Sequence, residues 1–213
     1  MGDFFTLKEE NPVALKEAVL RSIRHGEIAV VASENAYVYI CDAFNSIAVG
    51  RIHQLRQGSR GTSCQVFIGS AETLRGIAHG VTSDVERLVK TYWPGLLTLQ
   101  IAPQQGLNWD LGDAGTLNEI AVRVPKREFI LSVLQESGPL AVASVSVAGR
   151  PPTQNINFVP ALLSDIGIYV DEGEIEGDAL STVLRVAPTG IEILREGSIA
   201  REDLQNLVPA ISS

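Results

Sequence analysis

Apolar positions recur at helical spacing along some stretches of this chain and run together in short blocks along others, and the two patterns alternate from end to end. Asn11 followed by Pro12 marks a helix start, Val13, Leu15, Val19 and Ile23 repeat along one side of it, and Gly26 stops it. The block 27–33 then reads as a strand. A helix is predicted over 45–57, with Ile47, Ile52 and Leu55 inward and Arg51 and Arg56 toward solvent. The next strand covers 65–69. Ser83 with Glu86 forms a capping-box pattern for a helix carrying Val85, Leu88 and Val89, ended by the turn Trp93-Pro94-Gly95, where the aromatics are expected to be structural.

The second half repeats the alternation. Strands are predicted over 96–102 and 119–124, separated by a polar loop, 104–118, long enough for a functional flap. A helix over 128–136, a strand over 140–147, a helix over 160–165 and a strand over 167–171 follow. Strands over 181–186 and 191–194 precede a closing helix from Arg201. No internal repeat or Pro/Ser linker divides the chain, so the pattern predicts one α/β domain over 1–213, with a large twisted mixed sheet flanked by helices.

Composition narrows the function classes. At 213 residues, 45% hydrophobic and 20% charged, the chain can bury a full core. Its formal charge of -8 argues against wholesale coating of nucleic acid or anionic membrane, so any nucleic-acid contact must be local. Cys41 and Cys64 are too few for a disulfide scaffold and read as buried, reduced thiols, while three scattered His supply no metal-ligand spacing. The first ten residues lack an apolar signal core, and no apolar run approaches the ~18 residues of a membrane span. A cytoplasmic protein without membrane contact is expected.

The chemistry collects at predicted strand ends, where open α/β sheets place ligands. Between Asp42 and Glu72 there is no carboxylate, yet Arg51, Arg56 and Arg60 all fall there, which suits phosphate or carboxylate oxygens, or equally a solvated helix face. In Ser144-Val145-Ser146 alternation puts both hydroxyls on one side of a strand end, with Gly149 permitting a tight exit; they can bind an anion or cap the turn. Ser181-Thr182 carries the same two readings, and Arg195-Glu196-Gly197 sets a cation beside a backbone that a ligand can approach, or forms a surface salt bridge. No P-loop, dinucleotide fingerprint, nucleophile elbow or zinc-protease helix is present. Any catalysis would rest on positioning and charge stabilisation of a polyanion.

Taken in order, these residues resemble the threonylcarbamoyl-AMP synthase (YrdC/Sua5-like) family, over about 26–199 and in its short, single-domain form without an additional C-terminal domain. The most specific pieces are Tyr92-Trp93-Pro94-Gly95-x-Leu97-Thr98-Leu99, Ala121-Val122-Arg123-Val124-Pro125, Ser181-Thr182-Val183 and Leu194-Arg195-x-Gly197. The resemblance implies an α/β fold with a deep positive groove that binds ATP with Mg²⁺, L-threonine and bicarbonate. It further implies release of pyrophosphate and formation of threonylcarbamoyl-AMP for tRNA modification, with tRNA, double-stranded RNA and partner proteins of that pathway as further contacts. Carried over by position, Arg56, Arg60, Ser144, Ser146, Ser181 and Arg195 are implied to hold ATP or another anion, and Ser33, Asn35, Tyr37 and Arg123 to hold substrate.

Three motifs depart from the family spelling. Its Pro-Thr-Asp-Thr-Val-Tyr-Gly-Leu stretch stands here as Ala32-Ser33-Glu34-Asn35-Ala36-Tyr37-Val38-Tyr39, its Lys-x-Arg as Arg56-Gln57-Gly58, and its Ser-x-Asn as Ser144-Val145-Ser146. Two readings follow: a divergent synthase, and a non-catalytic paralogue that keeps the groove for nucleotide, RNA or a partner protein.

Overall fold

The computed structural model describes residues 2–58, 62–159, 166–177 and 179–212. The helix predicted over 160–165 and the candidate cation Arg60 lie outside the described residues. In chain order the elements are β1 (Asp3–Thr6), α1 (Pro12–Arg24), β2 (Ile28–Ala32), β3 (Tyr37–Asp42), α2 (Ser46–Leu55), β4 (Gln65–Phe67), α3 (Leu74–Ile77), α4 (Ser83–Tyr92), β5 (Leu97–Ile101), β6 (Ile120–Arg123), α5 (Glu128–Ser137), β7 (Leu140–Ser144), β8 (Ile166–Asp171), β9 (Thr182–Ala187), β10 (Gly190–Arg195) and α6 (Arg201–Leu207). The ten strands form one mixed sheet in the order β1-β8-β2-β3-β7-β4-β6-β5-β9-β10. It is the large mixed sheet the pattern predicts.

Local chemistry accounts for most boundaries. Asn11 accepts from the Val13 and Ala14 amides and opens α1, as read from the sequence. The start of α4 is capped one residue earlier than expected: Thr82, not Ser83, turns its hydroxyl onto the Val85 amide. In α2 it is Ala48, Val49 and Ile52 that are buried, whereas Ile47 is 68% exposed. The edge strand β1 and the strand β3 were not anticipated. Strand β3 is buried from Tyr37 to Cys41, so its apolar run shows no alternation to read.

Two layers of side chains cover the sheet. Helices α1 and α5 pack on one face against Ala29, Val31, Val38, Ile40, Phe67, Leu140, Val142, Ile168 and Val170, which come from β2, β3, β4, β7 and β8. Helices α2, α4 and α6 pack on the other, over Tyr37, Tyr39, Val66, Leu97, Leu99, Val122 and their neighbours. On the first face, β5 and β9 carry Thr98, Gln100 and Arg185 beside the half-buried Val183, and the apolar cluster stops short of them. A site can open at that edge of the helix cover.

The 104–118 loop is docked rather than an open flap. Trp109 and Leu111 are buried, Phe44 meets the Trp109 ring edge-on at 5.3 Å, and the Leu111 carbonyl accepts from the Cys64 amide (2.7 Å) and from His53 Nε2 (2.9 Å). Gly112 has φ +98° and lies against the His53 ring, where a Cβ has no room. Both cysteines are buried and free, as expected. Burial pushes the Cys64 thiol up to about 12, opposed by Arg56, so it is no nucleophile at neutral pH. Among the described residues no helix is long and apolar enough to cross a membrane.

The end of β10 is held to the start of β9 by Thr182, which is wholly buried: its hydroxyl donates to the Ile199 carbonyl (2.9 Å) and accepts from the Gly197 (2.9 Å) and Ile199 (3.0 Å) amides. Gly197 packs so closely on the Leu180 and Ser181 backbone that a Cβ would lie 2.4 Å from the Leu180 oxygen. Thr182→Val, which keeps the shape and orphans two amides, is expected to cost about 1–3 kcal/mol. Urea unfolding measures it; no loss would mean that these amides find other partners.

Candidate functional site

Where the helix cover ends, a cavity of about 270 Å³ opens on the α1/α5 face of the sheet. Its floor is set by cross-strand pairs. Val38 lies opposite Ser144, Gln65 opposite Val142 and Phe67 opposite Arg123, and all six line the cavity because paired positions share a face. Ser33 and Asn35 join from the β2–β3 turn, and Leu180, Ser181 and Arg195 from the ends of β9 and β10. The volume is near the lower end of ligand pockets, roughly 300–1,000 Å³. A larger hollow of about 470 Å³ lies at the start of α5, where Arg127 is paired with the buried Glu172, but it gathers none of the predicted residues.

Arg123 dominates the electrostatics. It is only 4% exposed, its guanidinium sits 4.5 Å above the Phe67 ring, and its Nη2 donates to Glu34 at 2.7 Å. Burial lowers its pKa and the Glu34 carboxylate opposes that, so the group stays charged. Glu34 also accepts from the Lys126 amide at 2.7 Å, which ties the β2–β3 turn to the exit of β6. The Arg123 Nε is buried and has no hydrogen-bond partner among the described residues, and the residue as a whole lines the cavity.

On the opposite wall a polar chain crosses three strands. Gln65 Nε2 donates to Thr98 Oγ1 (2.9 Å), Thr98 Oγ1 to Ser181 Oγ (3.0 Å), and Arg195 reaches the same Oγ through Nη2 (3.0 Å) while its Nε and Nη2 also hold the Ser181 carbonyl. The Ser144 hydroxyl makes no hydrogen bond among the described residues.

Of the residues named from the sequence, the fold brings Ser33, Asn35, Arg123, Ser144, Ser181 and Arg195 to this cavity. Ser33 and Asn35 are partly committed: the Ser33 hydroxyl donates to the Ala36 carbonyl (3.0 Å) and Asn35 Nδ2 to the Ala179 carbonyl (3.2 Å). Three others fall elsewhere. Tyr37 is one residue out of phase with Val38 and so points to the opposite face, where it is buried in the core. Its phenol donates to the Gly173 carbonyl (2.7 Å) and accepts from the Glu172 amide (2.9 Å), and burial raises its pKa. Ser146 does not share a strand face with Ser144, because β7 ends at Ser144 and the chain turns back toward Gly149. The Ser146 carbonyl accepts from Arg56 Nε at 3.4 Å, and Arg56, half-buried after α2, does not line this cavity.

Sequence reasoning missed Gln65 and Thr98. Thr98 stood inside a quoted motif, Leu97-Thr98-Leu99, and a hydroxyl alternating with two leucines was the available signal of a polar face. The groove is also less positive than expected: Glu34 offsets Arg123, and Glu119 and Glu192 offset Arg185 farther along the open face.

Comparison with known proteins agrees with the fold. Residues 21–197 match the Sua5/YciO/YrdC family model, described as "Telomere recombination". A Mycobacterium tuberculosis protein provisionally named threonylcarbamoyl-AMP synthase is 30% identical over 189 residues, covering 88% of this chain and 86% of its own. The Pyrococcus abyssi threonylcarbamoyl-AMP synthase is 27% identical over 191 residues, which span 89% of this chain and 56% of that longer one. P. abyssi Sua5, solved complexed with L-threonine, shares the fold with a TM-score of 0.86 at 24% identity, over 99% of this chain and 62% of its own.

Since the Tyr37 phenol is spent on the exit of β8, Tyr37→Phe is expected to lower stability by about 1–3 kcal/mol and to leave affinity for cavity ligands unchanged. Urea unfolding and calorimetric titration of the same variant check the two halves; a loss of affinity with intact stability would place the phenol back in the site.

Proposed function

Because the chain belongs to the Sua5/YciO/YrdC family, we propose that it is a divergent threonylcarbamoyl-AMP synthase, using ATP, L-threonine and bicarbonate. The observation that carries this reading is the convergence of Arg123, Ser144, Ser181 and Arg195 on one cavity, at matching family positions. The chemistry balances as follows. The threonine amine takes up bicarbonate as a carbamate with loss of water; a carbamate oxygen then attacks the α-phosphorus of ATP, and the Pα–O bond to the leaving pyrophosphate breaks. The product is threonylcarbamoyl-AMP, which supplies tRNA modification.

The chain contributes positioning and charge. Arg195 and the Ser181 and Ser144 hydroxyls face the anionic oxygens, and the charged Arg123 guanidinium in the low-dielectric wall supports a carboxylate or carbamate. Mg²⁺ enters as counter-ion of the triphosphate and is part of that substrate; among the described residues no cluster of three His, Cys, Asp or Glu stands ready to hold it. A cytoplasmic setting, with tRNA as the downstream acceptor, goes with this activity.

One observation favours a second reading, a non-catalytic paralogue that binds nucleotide, RNA or a partner protein. Glu34 already occupies one edge of Arg123, and the Ser33 hydroxyl is turned onto its own turn, so two of the positions implied to bind substrate are engaged within the protein.

Calorimetric titration with Mg·ATP, with and without L-threonine and bicarbonate, followed by a pyrophosphate-release assay, separates the two. Threonine-dependent pyrophosphate release is expected, and Arg195→Ala is expected to slow it by about 10²–10³, the loss of one charge-assisted contact to developing phosphate charge. Binding without release sinks the synthase assignment in favour of the paralogue.

A further inference from the structure

The chain of hydroxyls behind Ser181 has a direction, and that direction decides what Ser181 can bind. A hydroxyl has one proton to give and two lone pairs to receive with. Thr98 Oγ1 receives the Gln65 Nε2–H at 2.9 Å and, being 3% exposed, spends its single proton on Ser181 Oγ at 3.0 Å. Ser181 Oγ receives that proton and a second hydrogen bond from Arg195 Nη2 at 3.0 Å, and a guanidinium can only donate. Both lone pairs of Ser181 are then occupied. Its own proton has no partner left in the chain, and Ser181 lines the cavity.

We infer that Gln65 and Thr98 are positioning residues that polarise Ser181 into an obligate hydrogen-bond donor, so that this corner of the cavity accepts an anionic oxygen, of phosphate or carboxylate, and rejects a donor such as an ammonium group. Arg195 adds the charge that makes an anion the preferred acceptor, and successive donation along the chain strengthens the last bond. The opposite direction is the other arrangement that leaves neither hydroxyl proton without an acceptor: Ser181 gives its proton to Thr98, Thr98 to the Gln65 amide oxygen, and the cavity meets a lone pair. Gln65 selects between the two because it ends the chain and its amide offers the donor and the acceptor on separate atoms, only one of which meets Thr98. Neither residue is reached from the cavity in the same way: Gln65 lines it, whereas Thr98 acts only through Ser181.

The inference rests on the reading of this cavity as the substrate site, and its test is separable from the synthase assay. Gln65→Glu keeps the shape and, when ionised, leaves only an acceptor, which forces the reversed direction. Calorimetric titrations with Mg·ATP and with L-threonine, run separately, report which anion meets Ser181. Q65E is expected to weaken that ligand about tenfold or more at pH 8. Recovery is expected as the pH is lowered and the introduced carboxyl is protonated, because a protonated carboxyl donates again; the native protein has no such dependence from this position.

A negative charge could weaken an anion by repulsion alone, and Thr98→Val distinguishes the two causes. With no hydroxyl at 98, Ser181 cannot be reversed, so Q65E in the T98V background is expected to bind as T98V does. If Q65E binds like the native protein, if the double variant is as weak as Q65E, or if the native protein binds neither probe, the inference is overturned. Should Q65E fail to fold, Ser181→Ala takes its place: an obligate donor requires a loss of about tenfold or more for the same anion, and unchanged affinity overturns the inference. Binding without pyrophosphate release would sink the synthase reading and leave the donor chain standing.

Discussion

Burial of the Arg123 guanidinium is the constraint around which the site is arranged. A charged group taken out of water needs a partner and hydrogen bonds, or the fold loses several kcal/mol. Here the partner is Glu34, whose second oxygen accepts from the Lys126 amide, so one ion pair fastens the β2–β3 turn to the chain leaving β6. The Phe67 ring beneath the guanidinium supplies the face on which it rests. The Arg123 Nε is left buried without a partner among the described residues, as are Trp109 Nε1 and Asp113 Oδ1, which do not line the cavity.

The second organising fact is where the helix cover stops. Helices α1 and α5 seal apolar side chains of β2, β3, β4, β7 and β8, while β5 and β9 turn Thr98, Gln100 and Arg185 to the same face. A sheet with one face half sealed must carry its own polar satisfaction on the open half. The chain Gln65–Thr98–Ser181–Arg195 supplies it across β4, β5, the entrance of β9 and the end of β10. The same bonds that keep the open half of the sheet paired therefore set the hydrogen-bonding character of the site. Thr182, one residue further on and facing the other way, is the structural counterpart: it satisfies the backbone of the 197–199 turn and holds Arg195 where Ser181 can meet it.

Ser146 and Tyr37 stand apart from the cavity, and the 104–118 loop is docked, for physical reasons. Ser146 was grouped with Ser144 on the assumption that the strand ran to 147; period-two logic is sound only while the strand lasts, and β7 ends at Ser144. Tyr37 was carried over by its place in a motif, but a strand separates neighbouring side chains onto opposite faces, and Val38 takes the cavity side. The 104–118 loop reads as a flap because of its length, yet Trp109 and Leu111 anchor it in the core, and His53 occupies the space that Gly112 leaves.

By itself the sequence determined the fold class, the large mixed sheet, α1 and its Asn11 cap, most strand positions, the family, and the four residues Arg123, Ser144, Ser181 and Arg195 that meet at one cavity. These follow from local periodicity, capping chemistry and motif order, which are written in consecutive residues. Only the tertiary structure decided that Glu34 closes one edge of Arg123, that Gln65 and Thr98 stand behind Ser181, and that Tyr37 serves the core. Those facts depend on which strands lie side by side: the order β7-β4-β6-β5-β9 brings together residues up to 116 positions apart, and no local pattern encodes that order.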